Sequence, residues 1–296
     1  RLRFETLIKQ ADILHVHMSA DNSFYRKAVF IRKAYKERKK IIIHMHGSTF
    51  DLFYKERCND EQKRQVREIF AMADKVIALS EDWKEFLAEY ICDAEKIEVI
   101  YNAVKIPEPY SKDYSNQKML FLGILGQRKG TYDLIEVLPE IFQNYPDSHV
   151  YFGGDGEQKP AEQLCREKGI TEHVTFLGWV RGAEKEKLLR ECSIYVLPTY
   201  HEGMPMSVLE AMAYGMAVVS TYVGGIPHII TSGENGLLCE AGDKEALQKT
   251  LIELLQDGKL RENLGRNAYL MMAQKFDARE NVKKVYKIYE GLVNRA

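Results

Sequence analysis

Short β-branched runs alternate with longer stretches of helical periodicity along almost the whole chain, and this alternation restricts the fold more than any other feature of the sequence. It is the pattern of parallel βα units, so the class is α/β. Strands are predicted at 13–17, 41–46, 76–79 and 97–100, and again at 119–123, 150–153, 174–177, 194–197, 218–220 and 237–239. The second series is a complete six-strand set, whereas the first is two short of the usual six of a Rossmann-like half. Helices are predicted at 133–144 and 207–214, and three helical stretches close the chain. The segment KIPEPYSKDYSNQ concentrates Pro, Ser, Asn and charge and reads as a linker. The expected organisation is a first domain over 1–104, a linker over 105–117, a second domain over 118–275 and a C-terminal helix over 276–296 that returns to the first domain. The chain opens at Arg1 on RLRFETLIKQ, an amphipathic helix that runs straight into a strand, so strands preceding it are expected to be missing.

Composition removes several function classes. The 42 basic and 43 acidic residues nearly cancel, so no global field draws the protein to nucleic acid, and electrostatic targeting has to be local. Cys58, Cys92, Cys165, Cys192 and Cys239 are scattered, with no CxxC pair or zinc-finger spacing, which suits reduced thiols in the cytoplasm. No stretch reaches the roughly 20 apolar residues that span a bilayer, and no signal peptide opens the chain.

The segment LPTYHEGMPMSVLEAMAYGMAVVSTYVGGIPHII, residues 197–230, is the most informative. It follows a buried strand, loops through Glu202, Gly203 and Pro205, and enters a helix near Ser207. Glycine permits close backbone approach there, and the amides of a helix start favour an anion such as a diphosphate. Glu202 lies in the loop and Glu210 in the first turn of the helix, and either carboxylate can accept from the hydroxyls of a ribose or sugar. Ser207-x-x-Glu210 is equally a capping box, a purely structural use of the same residues.

Taken whole, the segment resembles the signature of the family-4 retaining glycosyltransferases, and the resemblance extends from Ile13 to the final helix. It implies the GT-B fold, two Rossmann-like domains facing a cleft, with the N-terminal domain incomplete here. By this likeness Glu210 holds the ribose and Glu202 the transferred sugar, while Gly203, Met204, Pro205 and Met206 touch sugar and phosphates. In FLGILGQRKG, Gly123 ends a strand and Lys129 matches the lysine that neutralises the diphosphate. The arginine that commonly follows the strand-end glycine is Ile124 here, so Arg128 is the substitute. GGDGE adds Gly154, and VTFLGWV resembles the base-binding element around Trp179 and Val180. IIIHMHGSTF places His46 and Gly47 toward the donor sugar. Ser80 and Asn102 match positions that line the cleft and hinge, and either residue could instead serve as a cap or turn.

The expected reaction moves a sugar from a nucleoside diphosphate to an acceptor hydroxyl with retained configuration and no cofactor. The chain contains no Asp-x-Asp motif, so no metal is expected in the reaction. The expected acceptor is a carbohydrate or a lipid-linked sugar in polysaccharide or glycolipid synthesis. The rivals are a nucleotide-sugar epimerase of the same shape and a non-catalytic sugar-nucleotide-binding protein. His44 and His46, like His15 and His17, form an HxH pair on one strand face. No third ligand follows at a telling spacing, and His15 and His17 read as core histidines, with acceptor-side residues as the alternative. Finally, residues 22–40 carry eight basic residues against Glu37, interleaved with Phe24, Tyr25, Val29, Phe30 and Tyr35. Such a helix can lie on an anionic membrane at the inner face of the cell membrane, or be a solvated face over the sheet.

Overall fold

The structure is a computed structural model that describes residues 2–47 and 49–294, the side chains of 2 and 3 excepted; Arg1 lies outside the described residues. It divides into two compact units, residues 1–102 with 279–296, and residues 103–278. Each is built on a parallel sheet, so the α/β reading holds.

The first unit opens with helix α1 (Leu2–Gln10) and strand β1 (Ile13–Met18), followed by α2 (Asn22–Lys36) and β2 (Lys40–Met45). A short turn α3 (Phe50–Leu52) continues into one π-helical stretch (Phe53–Arg57), which the strand pattern gave no hint of. Then come α4 (Asp60–Ala71), β3 (Lys75–Ala78), α5 (Glu81–Tyr90) and β4 (Ile97–Val99). The helices start where local chemistry allows. Asn59 and Gln62 form a reciprocal capping box before α4, and Ser80 Oγ accepts from the Trp83 amide to cap α5. Strand order is β1-β2-β3-β4, all parallel. Such strands are covered on both faces and read as unbroken apolar runs. Ile41 and Ile43 enter the main core, while Ile42, one residue out of phase, joins Ile77, Ile100 and Leu292 on the opposite face.

The second unit contains β5 (Lys118–Leu122), α6 (Thr131–Asn144), β6 (His149–Gly153), α7 (Gln158–Glu167), β7 (Val174–Gly178), α8 (Gly182–Glu191), β8 (Ile194–Val196), α9 (Met206–Ala213), β9 (Ala217–Thr221), β10 (Leu237–Cys239), α10 (Lys244–Gln256) and α11 (Gly258–Lys275). Strand order is β10-β9-β8-β5-β6-β7. The winding therefore reverses between β5 and β8, and loops leaving the carboxyl ends of those strands flank the position where such sheets take ligands. The last helix, α12 (Ala278–Val293), belongs to the first unit; Leu292, Val285, Ile288 and Tyr289 cover the face that holds Ile42.

Residues 105–117 are more firmly anchored than their composition suggests. Lys112 Nζ donates to Leu189 O (2.8 Å) and Arg190 O (3.2 Å), the last carbonyls of α8. Tyr110 and Tyr114 donate to Tyr214 O and Gly215 O just past α9. The segment is thus a strap that caps two helix C-termini of the second unit. Arg261, 3 % exposed, completes the arrangement by donating to Tyr114 O (2.6 Å) and Leu255 O (3.2 Å). Among the described residues no helix is long and apolar enough to cross a membrane.

Candidate functional site

The two loops at the reversal of the second sheet are laced together. After β5 the chain makes a 3-10 turn over Gln127–Lys129 and ends it on Gly130 in the left-handed region (φ 68°) before α6. A Cβ on Gly130 would lie 1.9 Å from Pro198 O, so only glycine lets the post-β8 loop approach. Arg128 O then accepts from the Tyr200 amide (2.9 Å) and from Thr199 Oγ1 (3.0 Å), while Arg128 Nη1 donates to His201 O (3.1 Å). This framework aims the neighbouring Lys129 at Glu202, and the two side chains form an ion pair. They are 12 % and 8 % exposed, in surroundings where removing either partner leaves an uncompensated charge. The stem of Lys129 runs over Gly123, and Ile124 is exposed beside it.

Glu202 is held from below by the GGIPH turn. Gly224 has φ 53°, and a Cβ there would sit 1.7 Å from Glu202 O. Gly225 N donates to Gly203 O. Met204 and Pro205 are buried under the loop, and Met206, at the start of α9, is 42 % exposed. Helix α9 begins after Pro205 with no side-chain cap, so its first amides have no intrahelical acceptor. The capping-box reading of Ser207 and Glu210 is therefore overturned. Ser207 is already the second residue of the helix, and Glu210 is its fifth, beyond the first turn in which it was expected. Glu210 instead pairs with Lys185 of α8 at 2.7 Å, both side chains being about a third exposed. Lys185 was missed in the sequence because its relation to Glu210 depends on how α8 packs, not on any motif.

The remaining second-unit residues take distinct positions. Gly154 N donates to Gly178 O (2.6 Å), tying the ends of β6 and β7, and a Cβ on Gly154 would meet Gly123 O, so these two candidate glycines lie back to back. Val180 is buried beside Gly153, whereas Trp179 is 63 % exposed. Glu157, at the end of GGDGE, accepts from Tyr132 Oη.

In the first unit the register pairs His17 with His44 and brings the two HxH runs side by side. His15 Nε2 lies 3.2 Å from His44 Nδ1, His17 Nδ1 lies 2.7 Å from His46 Nε2, and His15 Nδ1 lies 2.5 Å from the Tyr289 hydroxyl. Burial, reinforced by the neighbouring imidazoles, lowers His15 and His46 to about 4 and His44 to about 3. The reading of His15 and His17 as core residues is corrected: His15 is half-buried and His17 exposed, in one cluster of four. The absence of a third ligand at a telling spacing also dissolves, because the partners come from the next strand. His46 follows the end of β2, with its amide donating to Met18 O (2.8 Å), and Gly47 packs against Ser19. Ser80 is the cap of α5, and Asn102 stands at the boundary of the two units.

Comparison with known proteins bears on the family and the fold. A family model described as glycosyl transferases group 1 matches residues 102–271, and one described as glycosyltransferase family 4 matches residues 1–106. The N-acetyl-alpha-D-glucosaminyl L-malate synthase of Bacillus anthracis is 26 % identical over 290 residues, 94 % of this chain and 74 % of that protein. The phosphatidyl-myo-inositol mannosyltransferase of Mycobacterium leprae is 35 % identical over 147 residues, 49 % of this chain and 38 % of that protein. Of the lengths of other relatives the chain spans 60 to 72 %. In fold it is similar to Anabaena HepE in complex with UDP, with a TM-score of 0.81 and 21 % identity over 97 % of this chain and 82 % of that one. The group 1 model alone takes in more than half of the residues, including every loop of the Lys129 and Glu202 cluster, and so the chain belongs to the glycosyl transferases group 1 family.

Proposed function

We propose that the protein transfers a sugar from a nucleoside diphosphate to an acceptor hydroxyl with retention of configuration, without a metal ion in the reaction. The observation that carries this reading is the pairing of Lys129 with Glu202 at the sheet reversal, beside the uncapped start of α9. As the bond from the anomeric carbon to the leaving oxygen breaks, negative charge grows on the diphosphate. Lys129, Arg128 and the amides at the start of α9 are the groups that stabilise it. The acceptor oxygen bonds to the anomeric carbon on the face the diphosphate leaves, and the hydroxyl proton passes to the departing phosphate oxygen. Glu202 orients the sugar hydroxyls, Glu210 the ribose, and the main chain at Trp179 and Val180 the base. Gly123, Gly154 and the run Gly203, Met204, Pro205 and Met206 shape the surface under the donor. His46, neutral at pH 7, can donate to or accept from a sugar hydroxyl; its role and that of Gly47 rest on the family resemblance.

The mannosyltransferase relative, which acts on phosphatidyl-myo-inositol, supports a lipid-linked acceptor, whereas the malate synthase relative builds on a hydroxy acid. A carbohydrate or lipid-linked sugar of cell-surface polysaccharide or glycolipid synthesis fits both the family and the basic helix. On α2 the residues Arg26, Val29, Arg32 and Tyr35 share an exposed stripe, with Val29 and Tyr35 more than half exposed. This stripe supports peripheral binding to anionic lipid on the cytoplasmic side. Two of the basic residues face inward commitments instead: Lys33 pairs with Glu5, and Lys27 donates to Ser23.

Incubation with UDP-, GDP- and ADP-sugars, followed by nucleotide release and by the anomeric proton of the product, tests the reading. Acceptor-dependent release with an unchanged anomer, persisting in chelator, supports it. An epimerised donor, or binding without any release, would replace transfer with one of the two rival activities.

A further inference from the structure

We infer that His15, His17 and His44 hold a divalent transition-metal ion of the zinc type on the first unit. The parallel register that sets His17 opposite His44, with His15 two residues earlier on the same face, brings one nitrogen from each ring within 4.8 Å of the others. His15 Nε2 and His44 Nδ1 are 3.2 Å apart. Tetrahedral coordination at about 2.0–2.1 Å places adjacent ligand nitrogens roughly 3.3 Å apart, so this pair needs almost no adjustment. Imidazole must be unprotonated to ligate.

The outer contacts also fit. When His15 Nδ1–H donates to the Tyr289 oxygen, the lone pair sits on Nε2, the atom that faces His44. His46 Nε2 contacts His17 Nδ1 in the same manner. His44 Nε2, the nitrogen left over when Nδ1 ligates, is buried and has no such outer partner. Three imidazoles and no carboxylate select a borderline ion such as Zn(II) over Mg(II) or Ca(II). A water would complete the coordination.

The test uses the untagged full chain, stripped with chelator and then titrated with Zn(II) by calorimetry and with Co(II) by visible absorption. The expected result is one equivalent bound, with the intense bands of tetrahedral Co(II). His15→Ala and His17→Ala should each weaken binding at least 10-fold; His17 is exposed, so its removal leaves the core intact. Tyr289→Phe should weaken binding about 10-fold at unchanged stoichiometry, and His228→Ala should leave it as it was. No uptake of Zn(II), or equal affinity in the parent, His15→Ala and His17→Ala proteins, would overturn the assignment.

Discussion

Lys129 and Glu202 meet across the reversal of the second sheet, Lys129 from the turn after β5 and Glu202 from the turn after β8. The charge that a diphosphate would encounter at this position is already neutralised by a carboxylate of the same chain. On the proposed reading, a donor draws Lys129 away from Glu202 and leaves Glu202 to a neutral partner such as a sugar hydroxyl. The two residues are therefore expected to have opposite effects on a nucleotide that lacks its sugar.

Lys129→Ala should weaken UDP binding by about 1.5–3 kcal/mol, the worth of a charge-assisted contact, with the fold retained. Glu202→Gln should bind UDP at least as tightly as the parent while turnover with the matching UDP-sugar falls at least 10-fold. Calorimetry and a transfer assay on both variants check this pair of outcomes. Weaker UDP binding in Glu202→Gln would show that Glu202 supports the nucleotide directly instead of restraining Lys129.

The close loop approach gives a second, steric expectation. Gly130→Ala drives a Cβ into Pro198 O and Gly224→Ala drives one into Glu202 O, and in both cases the obstacle is backbone that cannot swing aside. Gly169, with a similar φ of 69°, has nothing within 4 Å. Gly169→Ala should cost only about 1 kcal/mol, for its backbone conformation. Gly130→Ala and Gly224→Ala should cost more than Gly169→Ala in urea unfolding and should lose UDP affinity as well. Equal stability of the three variants would mean that the two loops can separate without consequence.

The strand ladder was legible because buried parallel strands must be apolar on both faces; all ten predicted strands correspond to observed ones, with ends shifted by no more than a residue or two. Lys129 and Glu202 were legible because each sits in a motif at the end of a strand. What the sequence did not show depends on packing between distant elements. Lys185 meets Glu210 only through the seating of α8, and the four histidines meet only through the β1 to β2 register. The strap over 105–117 looked like a linker because Lys, Tyr and Pro are common in both, and only the carbonyl ends of α8 and α9 reveal its anchoring. Glu210 falls in the first turn of a helix entered near Ser207 only on the sequence pattern; the helix begins after Pro205, which puts Glu210 fifth.

Trp179 and Trp83 are the only tryptophans and fall one in each unit. In a Trp83→Phe background, UDP should change the emission of exposed Trp179 if the base lies beside it. If Glu210 binds the ribose as proposed, Lys185→Ala should move the midpoint of that titration by less than Glu210→Ala does, because Lys185 only pairs with the carboxylate. Fluorescence titration reads both. A flat Trp179 signal at UDP concentrations that saturate by calorimetry would move the base away from this residue.

The histidine cluster sets a pH dependence in the first unit. His15, His44 and His46 are lowered to about 4, 3 and 4, below the roughly 6.5 of an unfolded histidine. As pH falls below 6.5 the unfolded chain takes up protons that the folded chain refuses, so stability is greatest above 6.5 and declines as pH drops toward 4. Between pH 6.5 and 5 most carboxylates remain ionised, which isolates the histidines. Discounting for partial exposure, the loss over that interval should be on the order of 2 kcal/mol. Urea unfolding of a Trp179→Phe protein, with chelator present and Trp83 reporting from its contact with Phe86, measures it in the first unit. His15→Asn combined with His44→Asn should flatten the slope whatever it does to the absolute stability. An equally steep decline in that double variant would assign the dependence to groups outside the cluster.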